Sequence, residues 1–311
     1  MVKQRVLHYS PIALFTYNRP WHTQETVEAL LKNEEASESD LIVFSDGAKD
    51  EASRDKVNEV RSYLRTVHGF KSIRVVEREE NLGLASSIIQ GVTEVVNEFG
   101  SIIVLEDDLV TSPYFLRFMN DALSFYANKS KVMHISGWNY PIEQICLNDM
   151  FFWGVMNCWG WATWADRWQY YERDVDKVIS NFSSEMIEKF DLGHSGIFWS
   201  QVVGNQQGKL NTWAIFWYAA IFIRSGLCLN PSQSYVVNIG HDGSGIHCGK
   251  TENQNFYSLN MKQTLNFERK ILESIEAVEK IKEYFKNQKK PFWIRTINKV
   301  SRNVIGRNII E

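Results

Sequence analysis

Short apolar runs alternate with segments of helical spacing over the first 110 residues. Each run has the length of a buried strand and is followed by polar or glycine-containing loop residues, and then by apolar positions three or four residues apart. The four predicted strands lie at residues 12–17, 41–44, 73–76 and 102–105. Strands and helices that alternate in this way form right-handed crossovers and a mainly parallel sheet. The pattern therefore predicts an α/β fold with flanking helices.

The alternation is less regular beyond residue 110. The sequence predicts a helix from about residue 114, a strand at 134–138 and a tryptophan-rich stretch that ends near residue 168. The longest apolar run, at 213–223, is too short to span a bilayer and is predicted to be a buried element.

The C-terminal residues have the spacing of amphipathic helices. A long helix is predicted from the positions of Leu265, Ile271, Ile275, Val278, Ile281 and Phe285. After Pro291 a second apolar stripe follows at Trp293, Ile297, Val300 and Val304. We therefore expect an α/β domain at 1–253, with halves at 1–110 and 111–253, and a helical tail at 254–311.

Composition and charge narrow the class of protein. Hydrophobic residues make up 44% and charged residues 23%, which is ordinary for a globular protein and argues against disorder. The net charge is −3, but residues 286–311 carry seven Lys and Arg against one acid, so this end is +6 and the remainder −9. The acidic body predicts no nucleic-acid partner.

The basic end suggests peripheral contact of residues 291–311 with anionic phospholipid at the inner face of the cell membrane. A helix packed against the body is the alternative. No apolar core follows the basic residues at the start, so we expect no signal peptide, a cytoplasmic protein and reduced thiols.

Polar residues follow three of the predicted strands, at Asn18, Asp46 and Asp107. Parallel sheets bind ligands beyond the carboxyl ends of their strands, so these side chains are expected on one rim. The acids Glu106, Asp107 and Asp108 come directly after a buried strand. Neighbouring carboxylates repel one another unless a cation or a basic group neutralises them, and oxygen ligands suit hard divalent ions. A solvated turn or a helix cap is the alternative interpretation.

Three segments resemble known glycosyltransferases of the GT-A type, which have a Rossmann-like fold. The segment VLEDDLVTSPYFLRFM, at 104–119, is similar to the acid-rich segment of the Golgi N-acetylglucosaminyltransferases that act on mannose. The segments PIALFTYNRP, at 11–20, and NLGLASSIIQGV, at 81–92, resemble bacterial family 2 transferases. The resemblance covers roughly residues 11–249 and is most specific before residue 138. It implies a nucleotide-sugar donor and a glycan acceptor, with 111–253 as the acceptor-facing half.

The resemblance implies a role for each matching residue. Asp108 would be the direct ligand of Mn²⁺ or Mg²⁺, while Glu106 and Asp107 would face the ribose and the donor sugar. The UDP part of the donor would be held at Thr16, Asn18, Arg19 and Asp46, and the donor pocket would be shaped by Asn81 and Gly83. An ordinary turn at Asp46 and a helix cap at Asn81 are the alternatives.

The second half of the resemblance is carried by aromatic and glycine-rich segments. Tryptophans that would stack on sugar rings are Trp138, Trp159, Trp161 and Trp164, with simple core packing as the alternative. The segment NIGHDGSGIHC, at 238–248, resembles a family loop that folds over the diphosphate. Ser244 would donate to phosphate, and His241 or His247 would complete the metal site, with His247 as the preferred candidate; a surface turn is the alternative.

The catalytic base is not fixed by the sequence. Inverting transfer needs a carboxylate that takes the proton of the acceptor hydroxyl. In the similar Golgi enzymes this acid lies in a Trp-Asp-Asp-Trp-like segment, whereas residues 213–217 here read WAIFW, with no acid. The candidates are therefore Asp242 first, then Asp166, with Glu172 also open.

The sequence thus predicts an inverting, metal-dependent glycosyltransferase. A hexose or N-acetylhexosamine would pass from a UDP-sugar to a cell-surface glycan or a lipid-linked acceptor, as in polysaccharide or lipopolysaccharide synthesis. The alternative is a glycan-binding or scaffolding protein on a degenerate transferase fold, which the missing acid supports. A nucleotidyltransferase is disfavoured because no glycine-rich, Lys- or Arg-containing phosphate loop follows the first strand.

Overall fold

The computed structural model describes residues 9–143, 148–193, 195–243 and 258–288. Its strands are β1 (Ile12–Thr16), β2 (Asp40–Ser45), β3 (Ser72–Glu77), β4 (Ser101–Glu106), β5 (Leu109–Thr111), β6 (Val132–Ser136), β7 (Met150–Trp153), β8 (Trp161–Trp164), β9 (Leu227–Pro231) and β10 (Val236–Asn238). Its helices are α1 (Pro20–Leu31), α2 (Glu51–Leu64), α3 (Leu84–Phe99), α4 (Phe115–Tyr126), α5 (Ala165–Trp168), α6 (Val175–Asn181), α7 (Ser184–Phe190), α8 (Trp199–Gln206), α9 (Ala214–Ile223) and α10 (Ile275–Gln288). A short 3₁₀ helix spans Glu34–Glu38.

The strands of the described ranges form a large mixed sheet and a small ribbon. The sheet has the order β3-β2-β1-β4-β8-β6-β9-β7, and the ribbon pairs β5 with β10. Strands β1 to β4, β6 and β9 run in one direction, while β8 and β7 run against them. The predicted mainly parallel α/β sheet is confirmed, and each of its first four strands matches its predicted bounds to within one residue.

Helices cover both faces of the sheet, which explains why the inner strands β1, β2 and β4 have continuous apolar centres. In β1, Ala13 and Phe15 belong to a core shared with α3 and α9, whereas Ile12 and Leu14 face a second core shared with α1, α2 and α4. The predicted buried element at 213–223 is confirmed as helix α9, and the predicted helix near residue 114 is α4. Among the described residues no helix combines the length and the apolar character needed to cross a bilayer.

The C-terminal helix is shorter than its apolar spacing predicted. Helix α10 begins at Ile275, so the positions Leu265 and Ile271 lie before it in irregular backbone. The prediction of one helix through all six positions is wrong because the chain instead pairs with the sheet. Glu273 bridges to Phe152 of the edge strand β7, and the Ser274 amide donates to the Phe152 carbonyl at 2.8 Å. The second stripe, after Pro291, lies outside the described residues.

Candidate active site

The carboxyl ends of β1, β2 and β4 lie side by side at one edge of the sheet. Phe15 is opposite Glu106, and Thr16 is opposite Ser45. The strands bring Asn18, Asp46 and Asp107 to this edge, as the predicted topology requires. We refer to it as the carboxyl edge.

Asp107 and Asp108 form a buried turn between β4 and β5, and Arg19 lies against both. Arg19 Nη2 donates to Asp107 Oδ1, and Arg19 Nη1 is 3.0 Å from Asp108 Oδ2. The Tyr17 amide also donates to Asp107 Oδ2, at 3.4 Å. Arg19 lies three residues after the end of β1, so the parallel pairing of β1 with β4 brings its side chain to the acids. We refer to Arg19, Glu106, Asp107 and Asp108 as the acidic cluster.

Burial makes the charges of this cluster interdependent. Removal from water, reinforced by the negative charges of Asp108 and Asp107, raises the pKa of Glu106 to about 8. Burial also raises the pKa of Asp107, against the opposing effect of Arg19. For Arg19, burial lowers the pKa, but the two aspartates outweigh it and raise it above its usual value. One basic side chain thus only partly offsets the acids, and positive charge from a ligand would be favourable here.

Helix α1 fixes the position of the turn. Thr26 Oγ1 donates to the Asp107 carbonyl at 2.9 Å and accepts from the Leu109 amide at 3.1 Å. Both backbone groups are held by one buried side chain, so the turn is attached to α1 on one side and to Arg19 on the other.

The small ribbon brings a distant segment onto the acidic cluster. Antiparallel pairing places Asn238 opposite Leu109, and the next amide, of Ile239, donates to the Asp108 carbonyl at 2.8 Å. At Gly240 an added Cβ would lie 2.2 Å from Asp108 Oδ2 and 3.0 Å from Arg19 Nη1. Glycine is therefore required for the backbone to approach the carboxylate so closely.

The two residues after Gly240 contact different neighbours at the site. The His241 ring is edge-on to the Trp159 ring, with centroids 5.6 Å apart. Asp242 Oδ2 lies 3.2 Å from Nε2 of His22, a buried residue of α1 that sequence reasoning missed. The predicted Asp242 is thus brought beside the acidic cluster. The predicted Ser244 and His247 lie outside the described residues.

Asp46 and Asn81 connect two loops of the carboxyl edge. The Asp46 carboxylate accepts from the amides of Gly47, Leu82 and Gly83 at 2.9 to 3.1 Å. Asn81 Nδ2 donates to the Gly47 carbonyl at 2.9 Å, and Gly83 is the residue before α3, with φ at +74°. These bonds fix the loop shape, so a contact of Asp46 with uracil or ribose stays a prediction.

Thr16 and Asn18 stand at the end of β1. Thr16 Oγ1 is buried without a hydrogen-bond partner within the described ranges, whereas Asn18 is half-buried. Asp108 Oδ1 is also buried and without such a partner. Unpaired buried polar atoms are costly, and two of them at one edge mark a place where a ligand would supply the missing bonds.

The four predicted sugar-stacking tryptophans divide into two pairs. Trp138 and Trp159 are half-buried and pack edge to face with centroids 4.6 Å apart, and Trp159 contacts the ring of His241 at the site. Trp161 is 1% exposed and stacks on Trp213, and Trp164 donates its indole N–H to the Leu123 carbonyl at 3.2 Å in the core. The prediction that Trp161 and Trp164 contact a sugar is wrong, because their rings are enclosed by protein.

The candidate base Asp166 lies at the other end of the sheet. Strand β8 runs against β4 so that Trp164, two residues earlier, pairs with Ser101, at the start of β4. Since β4 ends at Glu106, five residues after Ser101, Trp164 is about 17 Å from the acids along the strand direction, and Asp166 follows it on the side away from them. Its carboxylate instead pairs with Arg167 at 2.5 Å, and its assignment as the base of this site is wrong.

The candidate Glu172 and the acid-free segment 213–217 both make other contacts in this structure. Glu172 pairs on the surface with Lys177 at 2.6 Å. The segment 213–217, which has no acid, is buried: Trp217 Nε1 donates to His134 Nδ1 at 3.2 Å, and Trp213 stacks on Trp161. This segment therefore contributes to the core, and its lack of an acid does not argue against catalysis at the carboxyl edge.

The residues of the cluster fit a divalent cation in one respect. Asp108 Oδ1 is a hard oxygen ligand with no competing hydrogen bond among the described residues. No group of three His, Cys, Asp or Glu side chains in those ranges could hold an ion by itself. An ion here would therefore take most of its ligands from the phosphates of the donor, as is usual for magnesium sites that bind substrate phosphates.

A comparison with family models agrees with this arrangement. Residues 12–136 match the model described as Glycosyl transferase family 2, which extends from β1 to the end of β6 and contains the acidic cluster. No curated protein matches the chain. The similarity to the Golgi N-acetylglucosaminyltransferases stays a resemblance, since the match concerns family 2. The fold and this match support a glycosyltransferase of the GT-A type, and the family 2 match itself covers residues 12–136, less than half of the chain.

Proposed function

We propose that the chain transfers a hexose or N-acetylhexosamine, with inversion, from a UDP-sugar to a glycan or lipid-linked acceptor. The observation that carries the proposal is the buried Asp108 Oδ1, which has no hydrogen-bond partner in the described ranges and lies at the carboxyl edge of a family 2 region. Burying such an atom costs free energy that a bound cation and diphosphate would recover.

The residues of the carboxyl edge have separate parts in this proposal. Arg19 neutralises Asp107 and keeps Asp108 oriented. Thr16 and Asn18 face the nucleotide, and the half-buried rings of Trp138 and Trp159 form an aromatic wall for the donor sugar. Bound Mn²⁺ or Mg²⁺, with Asp108 as a ligand, would supply positive charge that stabilises the departing diphosphate.

Asp242 is the proposed base. The acceptor hydroxyl oxygen forms a bond to the anomeric carbon, and the bond from that carbon to the diphosphate oxygen breaks. Its electron pair leaves with UDP, and the hydroxyl proton passes to the Asp242 carboxylate. Support comes from the place of Asp242, two residues after the glycine that touches Asp108, with a side chain 44% exposed and therefore accessible to an acceptor.

Thermal shift with UDP and UDP-sugars, each with and without Mn²⁺, tests the proposal. A ligand that binds only the folded state raises the melting temperature, so a shift that needs both nucleotide and metal is expected. It should vanish in Asp108→Asn and persist in Asp166→Asn, the matched control, which removes a carboxylate at the other end of the sheet. Equal shifts in the two variants, or none in the unaltered protein with any donor, would refute the proposal.

We further propose that residues 1–253 are the catalytic domain and that 291–311 contact the membrane surface. Their net basic charge supports attraction to anionic lipid. Removing 291–311 should weaken sedimentation with liposomes that contain phosphatidylglycerol, at about physiological salt. Unchanged sedimentation would disprove the membrane contact without affecting the proposed catalysis.

A further inference from the structure

The start of helix α1 contacts both acidic parts of the site. Arg19 occupies the N-cap position of the helix, and His22 lies three residues later, on the same side of the first turn. Arg19 pairs with Asp107 and Asp108, whereas His22 Nε2 lies 3.2 Å from Asp242 Oδ2. One turn of helix therefore holds the proposed base at a set distance from the acidic cluster.

The two members of the His22–Asp242 pair differ in exposure. The His22 side chain is 7% exposed and is enclosed at the edge of the site, while that of Asp242 is 44% exposed. The ring of Trp21 packs edge-on against His22, with centroids 4.8 Å apart and planes at 76°. A buried ring held by its neighbours has little freedom left to lose, so it can orient a more exposed carboxylate at low entropic cost.

The ring nitrogen and the carboxylate are close but not aligned as a hydrogen bond. His22 Nε2 is a buried atom with no aligned partner among the described residues, although Asp242 Oδ2 is at ion-pair distance. Hydrogen bonds used in catalysis often become well aligned only when substrate is bound. The unsatisfied nitrogen has a free-energy incentive to complete this bond.

We propose that His22 is a positioning residue that holds the Asp242 carboxylate toward the acceptor hydroxyl. The inference rests on the proposed function, in which Asp242 takes the acceptor proton. His22 acts only through Asp242: it contacts neither the donor nor the acceptor, and no proton needs to pass to its ring. Removing it should lower the rate of the chemical step and leave donor binding unchanged.

The test measures UDP release from the UDP-sugar that the unaltered protein turns over. Four proteins are compared with it: His22→Phe, His22→Gln, Asp242→Asn and the double variant His22→Phe with Asp242→Asn. Asp242→Asn should lower kcat at least 100-fold, as loss of a general base does. His22→Phe should lower kcat about tenfold with donor KM within about twofold, and His22→Gln should recover most of the loss because its amide still offers an N–H donor.

The double variant separates positioning from a purely structural role. If His22 acts through Asp242, removing its ring adds no further loss once the carboxylate is gone, so the double variant should match Asp242→Asn within about twofold. Multiplicative losses in kcat, or no recovery in His22→Gln with an unchanged melting temperature, would overturn the inference. Absence of UDP release from the unaltered protein with every donor would instead refute the proposed function itself.

Discussion

Gly240 allows the closest approach between the ribbon and the acidic cluster, so Gly240→Ala should impair the site while leaving the fold intact. The new Cβ would lie 2.2 Å from Asp108 Oδ2, which is about 1 Å shorter than an ordinary contact between such atoms. Asp108 is buried and paired with Arg19, so either this pair or the backbone of the 239–240 segment must shift by a similar amount. A misplacement of about 1 Å at a reacting centre costs about 100-fold in rate, equivalent to about 2.7 kcal/mol.

The assay for this prediction compares kcat/KM for UDP release, and the Mn²⁺-dependent thermal shift with UDP, between Gly240→Ala and the unaltered protein. Gly154→Ala is the matched control, because a Cβ there meets nothing nearer than Glu273 Oε1, at 3.5 Å. Both variants carry the same glycine-to-alanine substitution, and only Gly240→Ala should lose activity. Activity of Gly240→Ala within threefold of the unaltered protein would refute the reasoning that this contact positions Asp108.

Three further predictions concern the supports of the site and the core. Asp46→Ala removes the acceptor of three amides and should lower the free energy of unfolding by about 3 kcal/mol in urea titrations. Thr26→Val removes the hydroxyl that pairs with the Asp107 carbonyl and the Leu109 amide, and it should lower the free energy of unfolding by about 1–3 kcal/mol. For either variant, a decrease of less than about 0.5 kcal/mol would contradict the assigned hydrogen bonds. Burial lowers the pKa of His134 to about 3, below its unfolded value, so stability is lost as pH falls from about 6.5 toward 3, by up to about 1.4 kcal/mol per pH unit. His134→Gln should flatten that slope, and an unchanged slope would show that His134 is not its source.

The sequence predicted the first half of the fold because its local signals agree with one another. Strands buried on both faces are continuous apolar runs, and the helices between them carry regular apolar spacing, so neither can be taken for the other. The acidic residues at the end of β4 were found for the same reason, since in a parallel sheet chain direction determines which edge a strand end occupies. The irregular C-terminal part was predicted less well, because pairing of 273–274 with β7 outweighed its helical spacing.

The contacts that organise the site were not predictable from local pattern. Arg19 was predicted to hold the nucleotide, but its pairing with Asp107 depends on a strand register that periodicity does not determine. His22 and Asp242 are 220 residues apart in the chain, and they meet because β10 pairs with β5, a strand of three residues that shows no apolar period. The one local signal for His22 is its helical spacing from Arg19, which becomes informative only once Arg19 is known to bind the acids.

The direction of β8 determines which residues of the tryptophan-rich stretch lie at the carboxyl edge. Because β8 is antiparallel to both β4 and β6, the residues before it, including Trp159, stand at the carboxyl edge, and those after it, including Asp166, stand at the opposite edge. Had β8 run parallel to its neighbours, Asp166 would have followed a carboxyl end, as the acids after β4 do. One reversed strand therefore gives the carboxyl edge its aromatic wall and removes an acid from it. Of the candidates for the proposed base, Asp242 is the one that follows the ribbon, two residues after the glycine whose backbone meets Asp108.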